Sequence, residues 1–216
     1  MKNKICFCLP PKGVLEPVDK DDPLGYYYRP IVGALYRNRI KQALALLEPP
    51  YRSVLEIGYG SGILLPTLNQ LAENVYGVDI KSNPEKVAAS LSGLGVRANL
   101  SRADILTVDY PKASFDLIIA ISVFEHIIDL RPILSRLSGF LRQDGQLLVG
   151  MPRVDNLMKM IFTLIGFNNI EAHHVSDYKQ LIKSSEGLFG LSKFAGMPCW
   201  APKPMGLYFN MLFNKI

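Results

Sequence analysis

The 216-residue sequence has little of several features that mark special classes of protein. Its three cysteines, Cys6, Cys8 and Cys199, are too few and odd in number for a disulfide framework, which favours a reducing compartment. The net charge of +5 comes without a Lys/Arg run of the kind found in nucleic-acid-binding proteins. No uninterrupted apolar stretch reaches the ~18 residues of a transmembrane helix, and the first apolar segment is too short for a signal peptide. We therefore expect a cytoplasmic protein that binds no nucleic acid.

The composition indicates one folded domain. Hydrophobic residues make up 49% of the chain and charged residues 20%, which is typical of a globular protein. The length suits a single α/β domain with one or two additions. Cys6-Phe7-Cys8 resembles half of a metal site, but no second Cys/His pair at ligand spacing accompanies it. The sequence thus predicts no metal site.

A glycine-rich corner near residue 58 is the most informative stretch. An apolar run over 54–57, which contains the acidic Glu56, predicts a buried strand. Gly58, Gly60 and Gly62 follow at alternate positions, and a helical pattern starts at Ile63. Glycine adopts backbone angles that other residues avoid and lets a ligand approach the main chain. A strand, a glycine turn and a helix N-terminus together are typical of the ligand-binding corner of a doubly wound α/β sheet.

Strands and helices alternate after this corner, which predicts a parallel sheet with right-handed crossovers. The predicted strands are 75–80, 96–100, 115–121 and 146–150, and the predicted helices are 63–72, 84–91 and 130–141.

The flanking segments have different patterns. Residues 1–23 contain four prolines and no period, so we expect a flexible tail. Residues 24–48 predict an amphipathic helix, either packed on the sheet or forming a lid whose tyrosines touch the ligand. Residues 153–216 predict a substrate-side insertion with an apolar helix over 156–167, a helix that Ser176 could cap, and one or two final strands.

The spacing of the corner separates two cofactor classes. Nicotinamide and flavin sites need G-x-G-x-x-G, whereas here the third glycine comes one residue early. Glu56 would repel a pyrophosphate, but it suits a ligand that carries an ammonium and a sulfonium group. Asp79 ends the second predicted strand, where a carboxylate can accept hydrogen bonds from both ribose hydroxyls.

These motifs resemble those of the class I S-adenosylmethionine-dependent methyltransferases. Beside the glycine corner, the similar stretches are Val78-Asp79, Asp104-Ile105, the run from Phe115 to His126, and Leu141 to Leu147. The resemblance covers about residues 50–152 and implies a Rossmann-like, doubly wound α/β fold. That fold has a mostly parallel seven-stranded sheet, with helices on both faces and a late antiparallel strand. It would make residues 24–216 one methyltransferase domain, with its cofactor-binding core over 51–152.

The resemblance also implies roles for individual residues. The glycines would line the methionine end of S-adenosylmethionine, Glu56 would lie near its amino group, and Asp79 would hold the ribose. The adenine would meet Asp104, and the methyl group would face the exit of the fourth strand; the product would be S-adenosylhomocysteine. The full predicted set is Glu56, Gly58, Tyr59, Gly60, Gly62, Asp79, Ile80, Asp104, Ile105, Ile121 and Ser122.

The motifs say less about the molecule that receives the methyl group and about the catalytic base. His126 is a candidate base, although in the family that the sequence resembles a Glu-His pair at this place is also common as a helix-start element that packs and orients the loop. We expect a small-molecule acceptor, as in the methyltransferases of quinone, sugar or antibiotic biosynthesis. The apolar segments beyond residue 153 could enclose a hydrophobic acceptor, form additional core or contact a membrane surface peripherally. The sequence leaves the oligomeric state open. The alternatives are a non-catalytic cofactor-binding subunit and, disfavoured by the glycine spacing, a nicotinamide oxidoreductase.

Overall fold

The computed structural model describes residues 5–153, 175–198 and 206–216. Fourteen elements follow one another there, with strands and helices alternating through the middle of the chain. They are α1 (Leu24–Tyr27), α2 (Pro30–Leu44), β1 (Tyr51–Ile57), α3 (Leu65–Leu71), β2 (Ala72–Asp79), α4 (Pro84–Ser92), β3 (Asn99–Arg102), β4 (Phe115–Ile121), a 3₁₀ turn (Phe124–His126), α5 (Leu130–Phe140), β5 (Leu141–Pro152), α6 (Tyr178–Ser185), β6 (Phe189–Met197) and β7 (Tyr208–Lys215).

The strands form one seven-stranded sheet in the order β3-β2-β1-β4-β5-β7-β6. The pairs β1–β2, β1–β4, β2–β3 and β4–β5 are parallel, while β7 runs antiparallel to both of its neighbours. The predicted doubly wound sheet with one late antiparallel strand is therefore confirmed. The strand order reverses between β1 and β4, and in open α/β sheets ligands bind at that point, beyond the carboxyl ends of the strands.

The alternation of side chains divides the core into two layers. On β4, Leu117 and Ile119 pack against α2, α3 and α4, whereas Ile118 and Ala120 pack against α5 and α6. Successive strand residues point to opposite faces, and a strand covered on both faces reads as a continuous apolar run. This is why the sequence predicted the bounds of β4 correctly.

Four strands differ from the prediction at one or both ends. Strand β1 begins at Tyr51 and not at residue 54, and β2 spans Ala72–Asp79 and not 75–80. Strand β3 begins at Asn99, because Gly95 adopts φ +69° and Val96 N–H still donates to Leu91 O in the turn that ends α4. Strand β5 is longer than 146–150, because Leu141 already pairs with Phe115 and Pro152 still pairs with Tyr208.

The N-terminal segment is packed on the domain, so the prediction of a flexible tail was wrong for residues 5–23. Phe7 and Leu15 are buried in the layer that contains α3 and α4. Cys8 N–H donates to Thr67 Oγ1 at 2.9 Å, and Lys81 forms a 2.9 Å ion pair with Asp19. Apolar residues at irregular spacing cover the core here without forming a helix or strand, and periodicity does not detect such packing.

Helix α2 is continuous from Pro30 to Leu44 and passes through Gly33. A Cβ at Gly33 would lie 2.7 Å from Tyr27 O, so this glycine permits close packing of the turn after α1. Helix α6 begins after Asp177, whose side chain accepts from Gln180 N–H, and not after a Ser176 cap.

The predicted apolar helix over 156–167 lies outside the described residues. In the part of the chain that the structure describes, no helix is both long and apolar enough to cross a membrane.

Candidate active site

The glycine loop between β1 and α3 bends back over the sheet through three left-handed residues. Gly58, Gly60 and Gly62 have φ of +71°, +53° and +84°. These angles favour glycine, because a Cβ clashes with the backbone there. Two of the positions also lack room, since a Cβ on Gly58 would lie 2.5 Å from Val123 Cγ2 and one on Gly62 would lie 2.7 Å from Val87 Cγ1. Nothing lies within 4 Å of a Cβ at Gly60, so the middle of the loop is open to a ligand.

Asp79 joins this loop to the end of β2. Its Oδ2 accepts from Gly60 N–H at 3.0 Å, and its Oδ1 accepts from the N–H groups of Lys81 and Ser82 at 2.7 and 2.9 Å. Ser82 Oγ donates to Gly60 O at 2.8 Å and closes the connection. An ionised carboxylate offers about four acceptor sites, so capacity for a ribose hydroxyl remains. The structure thus places Asp79 against the glycine loop, as the spacing predicted.

Glu56 is buried beneath the same corner. It is 5% exposed, and its Oε2 has no hydrogen-bond partner among the described residues. Burial, and secondly the charge of Asp79, raise the pKa of the Glu56 carboxyl to about 8. A buried carboxyl group with an unused oxygen is suited to a cationic ligand, because an opposite charge within a few ångströms stabilises the ionised form.

The residues predicted to hold an adenine divide into exposed and buried ones. Ile80 is 64% exposed, although it directly follows the buried end of β2. Asp104 is exposed and its Oδ1 accepts from Leu106 N–H at 2.8 Å, which leaves Oδ2 for a ligand. Ile105, in contrast, is 7% exposed and packs in the α5 layer of the core. An adenine in this position would therefore meet Ile80 and Asp104 more directly than the Ile105 side chain.

Tyr59 lies in the core and not in the open part of the loop. Its side chain is 2% exposed, and its ring lies over Gly77, where an added Cβ would be 2.8 Å from Tyr59 Cδ1. Its hydroxyl has no hydrogen-bond partner among the described residues. The tyrosine fills the volume between β2 and α4, so only its main chain faces the loop. A contact of Tyr59 with a cofactor, if the prediction holds, would therefore be made by its main chain.

A polar cluster covers the exit of β4. Ser122 has the uncommon φ of +57° for a non-glycine residue, and its N–H donates to Gly150 O at 2.7 Å. Ser122 Oγ accepts from Arg39 Nη1 at 3.1 Å and lies 2.9 Å from Tyr208 Oη. Backbone strain of this kind is concentrated at functional sites. Ile121, the residue before it, lies beside Gly150 on the face that α2 covers.

Of the adjacent pair Glu125 and His126, the glutamate points inward. Glu125 is 1% exposed and its Oε2 has no hydrogen-bond partner among the described residues, whereas His126 is exposed in the 3₁₀ turn. Burial raises the pKa of Glu125 to about 7, although the positive charge of Arg39 acts in the opposite direction. A buried acid with a pKa near neutrality has the property that general bases need, so Glu125 is a better candidate than the predicted His126.

Sequence reasoning missed Arg39 and the C-terminal residues Tyr208 and Asn210. Arg39 was one of several charged residues on an amphipathic helix, and Tyr208 belongs to an apolar run. No local pattern distinguishes these residues. Only the packing of α2 on β5 and β7 brings them to the exit of β4.

Comparison with known proteins agrees with this geometry. Residues 55–149 match the profile of the family described as "Methyltransferase domain". A ubiquinone biosynthesis O-methyltransferase of Bradyrhizobium diazoefficiens is 31% identical over 142 residues, which are 64% of this chain and 54% of that protein. The chain thus spans about half the length of the curated relatives it matches.

Two solved structures share the fold over most of their length. The N-methyltransferase NodS of Bradyrhizobium japonicum, in complex with S-adenosylhomocysteine, has a TM-score of 0.65 at 17% identity, over 92% of this chain and 94% of its own. The 1,6-didemethyltoxoflavin-N1-methyltransferase of Burkholderia thailandensis, with its substrate and S-adenosylhomocysteine, has a TM-score of 0.63 at 19% identity, over 84% and 78%. At these identities the likeness concerns the fold alone.

The seven-stranded sheet and its glycine corner define a Rossmann-like methyltransferase fold. The family match over the corner, β2, β4 and β5, together with the likeness of the fold, supports a class I S-adenosylmethionine-dependent methyltransferase. S-adenosylmethionine is the cofactor of this class. The site fits that ligand, because the open space at Gly60, the free oxygen of Asp104 and the unused oxygen of Glu56 are spread along one edge of the sheet.

Proposed function

We propose that this protein transfers the methyl group of S-adenosylmethionine to a small-molecule acceptor that binds beside Ser122. The observation that carries the proposal is the buried Glu56 carboxyl under an intact glycine loop that is tied to Asp79. A fold without a ligand here has no use for a buried acid whose oxygen lacks a partner, because burying such a group costs stability.

Each part of the cofactor would meet a different group of the chain. Glu56 would attract the ammonium of the methionine portion, and the main chain around Gly60 would lie along it. Asp79 would accept from the ribose, while Ile80 and Asp104 would meet the adenine. Ile121 and Ser122 would then face the methyl group from the end of β4. The roles assigned to these residues rest on their arrangement along the edge of the sheet.

The chemistry demands little beyond positioning. The sulfonium supplies an activated methyl group, and the acceptor atom attacks it in line. Correct orientation of two reactants contributes on the order of 7–11 kcal/mol to lowering a barrier. A hydroxyl acceptor must also lose a proton, and we assign its removal to Glu125, an acid buried next to the exit of β4 whose pKa of about 7 suits a general base.

One observation favours a second candidate, a cofactor-binding subunit without catalysis. Arg39, Tyr27 and Tyr208 lie over the exit of β4, with Arg39 hydrogen-bonded both to Tyr27 Oη at 2.9 Å and to Ser122. An acceptor can reach the methyl group only if it displaces part of this cluster or binds at its margin. A permanently closed cluster would permit cofactor binding but no transfer.

The decisive test is calorimetric titration with S-adenosylmethionine and S-adenosylhomocysteine, followed by transfer of labelled methyl groups to a panel of hydroxyl- and amine-bearing acceptors. The Asp79→Ala variant removes the connection to the glycine loop, and we expect it to weaken binding strongly. Asp144→Ala is the matched control, because Asp144 is an exposed residue of the chain segment 141–152, near the opposite end of the sheet.

The outcomes separate the two candidates. Binding of both compounds with transfer to at least one acceptor supports the enzyme. Binding that Asp79→Ala abolishes, without transfer to any acceptor, supports the non-catalytic subunit. Absence of binding to protein free of carried-over cofactor refutes both.

Other expectations stay predictions. Cytoplasmic location is consistent with the free thiols of Cys6 and Cys8. The absence of a nucleic-acid partner and the peripheral membrane contact are untested, and the apolar segment that suggested the latter lies outside the described residues.

A further inference from the structure

Arg39 lies half-buried beside the proposed acceptor site. Its guanidinium lies 4.3 Å from the ring centroid of Tyr36, 5.4 Å from that of Tyr208 and 5.7 Å from that of Tyr27. Its Nη atoms donate to Ser122 Oγ and Tyr27 Oη, but Nε is closed off from solvent and has no hydrogen-bond partner within the described part of the chain. In the residues that the structure describes, no carboxylate lies within ion-pair distance of it.

The charge of Arg39 is retained in this environment. Burial by itself lowers the pKa of the guanidinium, but the oxygens of Tyr27, Tyr208 and Tyr36 act in the opposite direction, and the net shift is upward. Glu125 does not neutralise it fully, because its own pKa is raised by burial and part of the population is protonated at neutral pH. Arg39 as a whole is half-buried, but its Nε is closed off from solvent, and such a cation without an ion-pair partner among the described residues is rare in proteins.

Two further polar atoms without partners lie around the same point. Asn210 Nδ2 donates to Arg39 O and to Gln42 Oε1, which fixes the amide and leaves Oδ1 without a partner. A Cβ at Gly150 would lie 2.7 Å from that Oδ1 and 2.8 Å from Tyr208 Oη. Glu125 Oε2 is the other buried atom without a partner. A donor from Arg39 and acceptors from Asn210 and Glu125 therefore surround Ser122 and Gly150.

We propose that Arg39 recognises the methyl acceptor and that this acceptor carries a carboxylate group. The guanidinium fork matches a carboxylate in geometry, and the ion pair would use the unpaired Nε together with an Nη atom released from the cluster. The two acceptor atoms suit a hydroxyl or amine elsewhere on the same molecule, the group that receives the methyl. This assignment rests on the proposed function.

A carboxylate is favoured over a phosphate by the charge of the surroundings. Among the described residues, the positive charge that lowers the pKa of both Tyr208 and Glu125 is that of Arg39. Glu125 itself adds negative charge to the same place. One guanidinium next to an acidic group can balance a single negative charge but not two.

The test compares an acid with its neutral isostere. Protein loaded with S-adenosylhomocysteine is titrated with 4-hydroxyphenylacetate and with 4-hydroxyphenylacetamide, and binding is followed by calorimetry and ligand-observed NMR. The variants are Arg39→Gln, which removes the charge, and Arg39→Lys, which keeps the charge but loses the fork. Lys41→Gln removes a charge from an exposed position of the same helix and serves as the control. Thermal unfolding and S-adenosylhomocysteine affinity verify that each variant is folded.

We expect the acid to bind at least about tenfold more tightly than the amide. This preference should disappear in Arg39→Gln, persist in part in Arg39→Lys and be unchanged in Lys41→Gln. Equal binding of the two probes, no saturable binding of either up to about 10 mM, or an acid preference that survives Arg39→Gln would overturn the proposal. If S-adenosylhomocysteine itself does not bind, the proposed function fails, and the same titrations on the ligand-free protein still decide the role of Arg39.

Discussion

Replacing Glu56 by glutamine should make the protein more stable and its cofactor affinity lower. The pKa of the buried Glu56 carboxyl is raised from 4.5 to about 8, chiefly by burial. In the unfolded chain the group has lost its proton at neutral pH, whereas in the folded protein it keeps the proton. Folding at pH 7 must therefore take up a proton, and this costs stability.

The size of the effect follows from the two pKa values. A pH of 7 lies ~2.5 units above the pKa of this carboxyl in the unfolded chain and below its pKa in the folded protein. The difference lowers the free energy of unfolding at pH 7 by about 3 kcal/mol. The cost is absent below the unfolded-state pKa, grows as the pH rises and becomes constant above about 8. Glutamine has a similar shape and cannot titrate. Glu56→Gln should thus unfold at higher urea concentration than the wild type at pH 7, with the difference shrinking towards pH 4.5.

Cofactor binding should favour the ionised form of the Glu56 carboxyl over the protonated form. At pH 7 about 0.9 of the Glu56 carboxyl groups carry a proton in the ligand-free protein. A ligand ammonium beside Glu56 favours the carboxylate, so binding of S-adenosylhomocysteine should release close to one proton, and its affinity should increase from pH 6 to 8. Calorimetry in two buffers with different ionisation enthalpies measures the released proton directly. Glu56→Gln should release none, and its affinity should resemble that of the wild type at low pH.

Glu73→Gln is the control, because Glu73 is an exposed acid at the start of β2. It should change the free energy of unfolding by no more than a few tenths of a kcal/mol and leave the number of released protons unchanged. Urea curves for Glu56→Gln that coincide with those of the wild type at every pH would refute the electrostatic reasoning. Binding of S-adenosylhomocysteine without proton release would show that its ammonium does not meet Glu56.

Three further predictions concern the same region. Tyr59→Phe removes a buried hydroxyl without a partner, so it should raise stability by about 1 kcal/mol in urea unfolding and leave S-adenosylhomocysteine affinity unchanged; weaker binding would instead give the hydroxyl a role at the cofactor. Gly62→Ala should destabilise the protein by at least about 2 kcal/mol, because the new Cβ would lie 2.7 Å from Val87 in a left-handed backbone. Gly60→Ala has the same left-handed backbone but has room for a Cβ, so it should cost only about 1 kcal/mol. Equal unfolding midpoints for the two variants would contradict the packing argument. Glu125→Gln should lower the rate of methyl transfer to a hydroxyl acceptor by about 10²–10⁴-fold and remove a rise in rate through pH 7, with cofactor affinity retained; an unchanged pH–rate profile would exclude Glu125 as the base.

The cofactor corner and the order of the elements were determined by the sequence alone. A buried parallel strand needs a continuous apolar run, and three alternate glycines are typical of a turn with left-handed angles. Strand β4, the carboxyl end of β1 and the loop at Gly58 were therefore predicted correctly, although β1 begins earlier, at Tyr51. The helix cap at Asn83 was also a local property, since its side chain accepts from Lys86 N–H three residues later. Such features depend on neighbours in the chain, which a sequence displays directly.

The acceptor side was decided only by the tertiary structure. Arg39 meets Ser122, Tyr208 and Asn210 because α2 packs across β5 and β7, and no pattern near any of these residues records that contact. The same holds for Tyr59, which looked like part of the ligand loop but fills a gap above Gly77. Local spacing determines which backbone a segment can adopt. The direction of a side chain, and the burial that raises its pKa, depend on elements that are distant in the chain.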